Sequence, residues 1–305
     1  MFNFKNLGYI ITNNFIFGSF VFLMVNGFSK KSLELVRLSI QLKQVTRMRK
    51  VVRKKIKSFN IDRYNIEQKE KHKLIWICWF QGIESAPDIV KICYNSLIKQ
   101  ENVKIKLITD DNFELYTNFP KSILEKRKKG LIPPAHFSDL LRVELLSNHG
   151  GIWLDSTVLV TGSSLPDYLI ESNFFCYQVL KPGLNGHSII CSSWAMSSIK
   201  NSLPLSLVKD VLYDYWDKKN KLNDYFLFHI ILSAVLLELE ELGISFSRQC
   251  NSTPHILQLE MYDKFKSDRL REILNSSGLH KLTYKIDNER LLEESFIEFI
   301  LRGGL

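Results

Sequence analysis

The hydrophobic pattern of residues 136–161 predicts a helix, a glycine stop and a buried strand. Apolar positions follow a helical period along the first part and end at Gly150 and Gly151. Glycine adopts the left-handed backbone conformation at little cost and commonly ends helices. The run that follows, as far as Val160, is rich in β-branched residues, which favour a strand. We expect Ser138 to cap the helix, after two prolines that close the preceding loop.

Upstream, the pattern predicts a β-α-β unit that opens a doubly wound sheet. The segment KLIWICWF, which starts at residue 73, is a short apolar run typical of a buried strand. Residues 88–99 have a helical pattern, and the alternating segment VKIKLITDDN at 103–112 predicts a second strand and a turn. Ligands of such sheets bind beyond the carboxyl ends of the strands. The predicted fold class is therefore α/β.

The remaining pattern adds helices and short strands to this sheet. Residues 112–130 predict a basic helical segment, and short strands are expected at 173–177 and 189–195. A long and mostly apolar helical region covers 204–243. These additions are compatible with one large α/β domain that covers residues 73–305.

The first 60 residues predict a helical arm in front of this domain. Residues 7–28 are apolar and about long enough to cross a bilayer, but their asparagines and glycines favour a core or interfacial helix over a membrane span. Residues 29–58 mix apolar and basic positions in a helical rhythm. A polar stretch at 61–72 predicts a linker between the arm, residues 1–60, and the domain.

The charge of the chain is concentrated in this arm. The formal net charge is +9, and residues 29–60 contain eleven Lys or Arg and one acid, so the rest is close to neutral. A basic amphipathic helix beside an apolar segment suits an anionic membrane surface, here through residues 7–58. A solvated helix that packs on the domain is the alternative. Nucleic acid is not an expected partner, because no nucleic-acid motif accompanies the basic residues. Five scattered cysteines without metal spacing are typical of a reduced protein, so we expect the cytoplasmic side of the membrane.

Three charged residues are the strongest candidates for chemistry. Asp139 and Arg142 are three residues apart, so they share one face of the predicted helix. Asp155 lies within the predicted apolar strand, where a charge is costly unless it is paired, binds a metal or faces a cleft. If helix and strand pack antiparallel, the three side chains converge on one pocket suited to a phosphorylated ligand. The alternative is an internal salt bridge and a single polar strand residue.

The run SDLLRVELLSNHGGIWLDSTV that contains these residues resembles the core of the capsular polysaccharide synthesis glycosyltransferases. That family is related to DXD-containing sugar transferases such as yeast mannosyltransferases and the catalytic domains of large clostridial toxins. The resemblance implies a GT-A nucleotide-sugar fold in which Asp139 and Arg142 contact the ribose and sugar of the donor. It also implies that Asp155 holds Mn²⁺ or Mg²⁺ on the diphosphate. Thr157 stands where the second acid of DXD is expected, which leaves metal dependence open.

The resemblance implies further donor-binding residues. The segments IWICWFQG and APDIVKIC are similar to the opening of the family, in which a tryptophan at the strand end stacks on the donor base. Trp79 fits that role best, and Trp76 is the other candidate. Gln81 and Ser156 would line the same pocket, and Trp194 would lie near the sugar. The alternative for each tryptophan is a position in the core.

Three other segments contain acidic or basic residues that could belong to the site. Asp224 could approach the donor sugar or the acceptor, or supply the carboxylate that the DXD motif lacks, or cap a helix. Lys281 would neutralise the diphosphate, and His280 would contact it. Asp110 and its neighbour Asp111 are expected to cap a helix rather than bind a metal.

Together with the resemblance, these observations predict a glycosyltransferase that moves a sugar from a nucleotide-diphosphate-sugar donor. Relatives retain the anomeric configuration, and the resemblance implies the same for this chain. The acceptor would be a capsular or related polysaccharide or its lipid-linked precursor. Catalysis would depend on positioning and on neutralising the charge of the leaving diphosphate. The alternatives are an inactive nucleotide-sugar-binding protein and a membrane-associated scaffold of polysaccharide assembly.

Overall fold

The computed structural model describes residues 16–59, 61, 71–179, 188–291 and 293–305. The helices are α1 (Ile16–Asn26), α2 (Lys30–Ile56), α3 (Asp88–Ile98), α4 (Lys121–Lys128), α5 (Pro134–His149), α6 (Asp167–Ile170), α7 (Leu203–Lys218), α8 (Leu227–Glu241), α9 (Ile256–Leu259), α10 (Ser267–Ser276) and α11 (Phe296–Leu301). The strands are β1 (Leu74–Cys78), β2 (Lys104–Ile108), β3 (Gly151–Leu154), β4 (Val158–Val160), β5 (Phe174–Gln178), β6 (Cys191–Ser198) and β7 (Leu279–Lys281).

A five-stranded mixed sheet forms the centre of the protein. Its strand order is β2-β1-β3-β6-β5, with β1 parallel to both β2 and β3 and with β6 antiparallel to its two neighbours. The predicted β-α-β unit is β1, α3 and β2. Because helices cover a sheet whose core strands are parallel, the predicted α/β class is confirmed, and the arrangement agrees with the expected GT-A type.

The strand predicted between residues 152 and 160 is two strands in two different sheets. β3 belongs to the central sheet, whereas β4 pairs with β7 in a separate two-stranded sheet. The break holds the Asp155-Ser156-Thr157 motif, where the Asp155 N–H donates to the Trp194 carbonyl and the Asp155 carbonyl accepts from Val158. The apolar pattern alone concealed this break, because both strands are buried. Asp155 therefore lies at a strand end and not in the middle of a strand.

The helix in front of this strand starts earlier than the sequence predicted. α5 begins at Pro134, with Pro133 at the N-cap, so the prediction that Ser138 caps it is wrong. Proline suits the first turn of a helix, because the N–H that it lacks would have no partner inside the helix there. The predicted glycine stop is confirmed, since Gly150 has a φ of 71° and Gly151 a φ of 100°.

The predicted cap at Asp110 is also wrong. A short 3₁₀ helix, Phe113–Leu115, follows β2, and Asn112 precedes it. The Asn112 side chain closes the turn by accepting a hydrogen bond from the Thr109 N–H. Asp110 instead forms an ion pair with Arg127.

The basic helix α2 packs on the domain. It lies against α8, and its residues Val45, Val52 and Ile56 belong to the same core as the side chains of α7 and α8. Glu238, which is 3% exposed, forms ion pairs with Arg49 and Arg53 of α2. Of the alternatives for residues 29–58, the packed helix is therefore the observed one.

The shorter helix α1 covers part of α2 and leaves one apolar face exposed. Leu23 is buried against Val36 and Ile40, whereas Phe17, Phe20 and other large side chains face outward. No helix in the described ranges is long and apolar enough to cross a membrane. The start of the apolar segment 7–28 and most of the predicted linker 61–72 lie outside the described residues.

Candidate active site

A cavity of about 890 Å³ opens at the carboxyl ends of β1 and β3. These parallel strands end at Cys78 and Leu154, so the residues that follow them meet at one edge of the sheet. Among the predicted site residues, the cavity is lined by Trp79, Gln81, Asp139, Arg142, Asp155, Ser156, Thr157, Trp194 and Lys281. Three predicted residues, Trp76, Asp224 and His280, do not line it.

Arg142 lies between two carboxylates on the wall of this cavity. Its Nη1 is 3.1 Å from Asp139 Oδ1, and its Nη2 is 3.1 Å from Asp155 Oδ1. One turn of α5 joins the first pair, whereas the second pair joins α5 to the end of β3. The three side chains therefore converge, as the sequence predicted. The salt bridge between Asp139 and Arg142, which was the alternative to this convergence, is also present.

The Asp139 carboxylate has a second partner, His136, in addition to Arg142. His136 Nδ1 is 3.4 Å from Asp139 Oδ2, and His136 Nε2 is 3.0 Å from the indole nitrogen of Trp216. An indole N–H can only donate, so Nε2 is the acceptor and the His136 proton is on Nδ1, facing Asp139. Burial alone would raise the pKa of Asp139, but the Arg142 charge and the His136 contact lower it below its usual value. Asp139 is therefore an ionised carboxylate at neutral pH.

The guanidinium of Arg142 is buried without being fully hydrogen-bonded. Its side chain is 5% exposed, and within the described ranges Nε and Nη1 have no aligned hydrogen-bond acceptor. The rings of Trp153 and Phe228 lie 5.0 and 5.6 Å from the guanidinium carbon. Buried polar groups are normally hydrogen-bonded, so these donors indicate an acceptor-rich ligand.

Asp155 receives hydrogen bonds at one oxygen and faces a lysine with the other. Arg142 and the Trp153 indole donate to its Oδ1, at 3.1 and 3.0 Å. Lys281 Nζ is 3.9 Å from its Oδ2 and donates to Thr157 Oγ1 at 2.6 Å. The short β4–β7 sheet places Lys281 there, because Val158 and Lys281 are paired in its register.

These residues do not fit a resident divalent metal ion. In the part of the chain that the structure describes, no three His, Cys, Asp or Glu side chains form a metal-binding group. Thr157 supplies a neutral oxygen that already accepts from Lys281, and Asp155 is already paired with Arg142. The predicted Mn²⁺ or Mg²⁺ therefore has no ready set of protein ligands at Asp155 and Thr157.

The tryptophans separate into cavity and core positions. Trp79 is partly exposed and contacts the ring of Tyr284 edge to face, at 5.5 Å, and both residues line the cavity. Trp194 also lines it, and its ring stacks on Tyr177. Trp76 is 2% exposed, and its indole donates to the Gly150 carbonyl. Only Trp79 of the two base-stacking candidates can therefore contact a ligand in the cavity.

Two weaker candidates are held by local structure. The Asp224 carboxylate accepts from the Phe226 N–H at 2.7 Å, but Phe226 itself is the N-cap of α8, so the prediction that Asp224 caps this helix is wrong. Its neighbours Tyr225 and Phe226 line the cavity instead. His280 is on β7, the strand that carries Lys281. It is fully buried, and its Nε2 contacts Thr161 Oγ1 at 3.0 Å. His280 therefore supports β7 and does not reach the cavity.

His229 is a cavity residue that the sequence did not reveal. Its Nε2 is 2.9 Å from Ser193 Oγ, and burial lowers the pKa of His229 below its ordinary value, which favours the neutral ring. Its Nδ1 has no hydrogen-bond partner within the described ranges. The only sequence signal was its position one turn after Tyr225, in the segment NDYFLFH.

A family model described as "Capsular polysaccharide synthesis protein" matches residues 28–300. The match covers most of the chain and begins two residues before α2, so it includes the basic helix that the sequence resemblance had left out. A solved structure titled "PaToxG Glycosyltransferase" is similar over 88% of this chain and 97% of its own, with 13% sequence identity and a TM-score of 0.38. No curated protein matches the chain.

Proposed function

This chain belongs to the capsular polysaccharide synthesis protein family, and on that premise we propose that it is a glycosyltransferase of surface-polysaccharide assembly. It transfers a hexose from a nucleoside-diphosphate-sugar, with retention of the anomeric configuration. The acceptor is a growing polysaccharide or its lipid-linked precursor.

The observation that carries this proposal is the buried Arg142 with unused donors between Asp139 and Asp155. A guanidinium matches the geometry of phosphate oxygens, and carboxylates accept hydrogen bonds from sugar hydroxyls. The combination suits a ligand with phosphate and hydroxyl groups side by side, which is what a nucleotide-sugar presents. A cavity of about 890 Å³ is large enough for such a donor.

The other cavity residues suggest how the donor lies. Trp79 and Tyr284 offer aromatic surface for the base at one side. Arg142 and Lys281 provide the positive charge for the diphosphate, and Asp139 orients ribose or sugar hydroxyls. Trp194 offers an apolar surface beside the sugar. The protein thus contributes alignment and charge stabilisation, the two main sources of rate enhancement in group transfer.

We also infer that α1 attaches the protein to an anionic membrane surface, on the cytoplasmic side. Phe17 is 81% exposed, Phe20 59% and Met24 63%, and their spacing keeps them on one face of the helix. Lys30 and Lys31, at the start of α2, which follows α1 along the chain, are exposed. Apolar side chains that enter the interface next to basic residues are typical of peripheral membrane helices.

The same helices support a lipid-linked acceptor. The Arg37 guanidinium lies 5.4 Å from the ring centre of Phe226, and Phe226 lines the cavity. Arg37 is next to Val36, which packs against Leu23 of α1. A membrane bound to α1 would therefore lie near the cavity, where it could supply a sugar acceptor attached to lipid.

Donor hydrolysis and binding test the enzymatic proposal. The 305-residue chain is incubated with UDP-, GDP- and CMP-sugars, with and without Mn²⁺, beside an Asp155→Asn variant. We expect hydrolysis of one donor, with the released sugar in its original anomeric form by NMR, and loss of hydrolysis in the variant. Binding of a donor without transfer or hydrolysis would favour the inactive binding protein. No binding to any donor by the folded protein would rule the proposal out.

Sedimentation with vesicles tests the membrane proposal. We expect the chain to bind vesicles that contain phosphatidylglycerol and to lose binding when Phe17, Phe20 and Met24 are changed to serine. A matched control changes Leu35, Leu42 and Val51, which are exposed on α2. Equal loss in both variants would contradict a specific role of α1.

A further inference from the structure

Lys281 occupies the place at Asp155 and Thr157 where the family resemblance expects a metal ion. Its Nζ donates to Thr157 Oγ1 at 2.6 Å and to the Leu282 carbonyl at 3.0 Å, and it lies 3.9 Å from Asp155 Oδ2. Its side chain is 19% exposed and lines the cavity. A single cation thus faces both residues of the motif that would otherwise hold a divalent ion.

The backbone fixes this position. The Leu282 N–H donates to the Thr157 carbonyl at 2.9 Å, and Lys281 is paired with Val158 between β7 and β4. The lysine and the motif therefore belong to one small sheet and move together. The ammonium does not depend on a flexible loop to reach the site.

The ammonium has a hydrogen left for a ligand. An ammonium has three N–H donors, and two of them meet Thr157 and Leu282. The distance to Asp155 Oδ2 is too long for a hydrogen bond. The third donor can therefore reach a phosphate oxygen placed between Lys281 and Arg142.

We propose that Lys281 supplies the positive charge at the donor diphosphate in place of a divalent cation, so that this enzyme works without metal. This inference rests on the proposed transferase function and names how the same site binds the diphosphate. A metal ion on Asp155 Oδ2, at about 2 Å, would lie close to the ammonium and be repelled by it. Thr157, a neutral residue at the position of the second acid, contributes no charge that would offset this repulsion.

Negative charge develops on one diphosphate oxygen during the reaction. The bond between the anomeric carbon and the diphosphate oxygen breaks, and its electron pair stays on that oxygen. The acceptor hydroxyl, or water in hydrolysis, bonds to the anomeric carbon and releases its proton to the solvent. Lys281 keeps its own proton throughout and stabilises the added negative charge together with Arg142, as preorganised cations do.

The first measurement compares donor hydrolysis by the unmodified chain in EDTA and in Mn²⁺. We expect rates that agree within about twofold, because the ammonium already provides the charge. Loss of activity in EDTA with recovery in Mn²⁺ would overturn the inference and leave the transferase function standing. Absence of donor binding and hydrolysis under both conditions would remove the proposed function and this inference together.

The second measurement uses Lys281→Gln and Lys281→Arg, with Lys285→Gln as the matched control on an exposed position of the same segment. We expect Lys281→Gln to lose at least about 100-fold in rate, Lys281→Arg to keep part of it, and the control to be unchanged. Affinity for the free nucleoside diphosphate should fall about tenfold in Lys281→Gln, whereas affinity for the nucleoside should not change. Equal loss of both affinities, or full activity of Lys281→Gln, would contradict the proposal. The EDTA comparison remains decisive if a Lys281 variant does not fold.

Discussion

Arg142 Nη2 lies 3.1 Å from Asp155 Oδ1, although the two residues belong to a helix and to the end of a strand. This contact joins α5 to the break between β3 and β4. It also continues through Arg142 Nη1 to Asp139, so two carboxylates share one guanidinium. The strand break and the helix face are thereby fixed relative to each other.

Removing the guanidinium should affect both stability and activity. Arg142→Gln leaves the buried Asp139 carboxylate without its cation, and we expect a loss of about 3 kcal/mol in the free energy of unfolding. Donor hydrolysis should fall at least about 100-fold, because the charge at the diphosphate is lost. Urea unfolding and initial hydrolysis rates measure the two effects. Arg248→Gln, at an exposed ion pair with Glu240, is the control and should change neither.

Trp76, inside β1, and Trp79, directly after its end, should behave in opposite ways when they are changed. Trp79→Ala should weaken donor binding by about 1–3 kcal/mol, the usual contribution of stacking between a base and an aromatic ring. Trp76→Phe should leave donor affinity unchanged and lower stability, since it removes a hydrogen bond to the Gly150 carbonyl from the core. Titration calorimetry and thermal unfolding separate the effects. An affinity loss confined to Trp76→Phe would reverse the assignment.

The glycine stop after α5 should tolerate no side chain at its second position. Gly151 has a φ of 100°, and a Cβ there would lie 2.5 Å from the Leu74 carbonyl oxygen of the neighbouring strand. Gly151→Ala should therefore cost more than about 3 kcal/mol of unfolding free energy or prevent folding. Gly130→Ala is the control, because Gly130 has a similar positive φ of 69° with no atom within 4 Å of an added Cβ. We expect it to cost only about 1–2 kcal/mol, the backbone part of the penalty.

His280 should make the protein less stable as the pH falls below neutrality. Burial lowers the pKa of His280 from its ordinary 6.5 to about 4 in the folded protein. Between these values the unfolded chain binds more protons, so stability decreases as the pH falls from 6.5 to 4, by up to about 3 kcal/mol. Urea unfolding at several pH values should show a flatter dependence for His280→Gln than for the unmodified chain. If the free energy of unfolding depended on pH equally in both proteins, His280 would not titrate in this way.

Much of the fold could be predicted because the responsible signals are local. The helical period of α5, the apolar run of β1 and the glycines after α5 each depend on neighbours within a few residues. The same locality puts Asp139 and Arg142 on one helix face. Ser138 shows the limit of such signals, since two prolines upstream moved the helix start by a turn.

The rest depended on which distant segments meet. Lys281 reaches Thr157 across 124 residues because β7 pairs with β4, and the break between β3 and β4 exists only because the two strands join different sheets. The sequence left the burial of Trp76 and the packing of α2 on the domain as open alternatives, because an apolar or basic pattern does not identify its partner. Local signals were thus enough for most of the helices and strands and for the acid–arginine pair on α5. The tertiary structure decided where the cavity lies and which cation stands beside Asp155, because strand register is set by packing of the whole domain and not by local propensity.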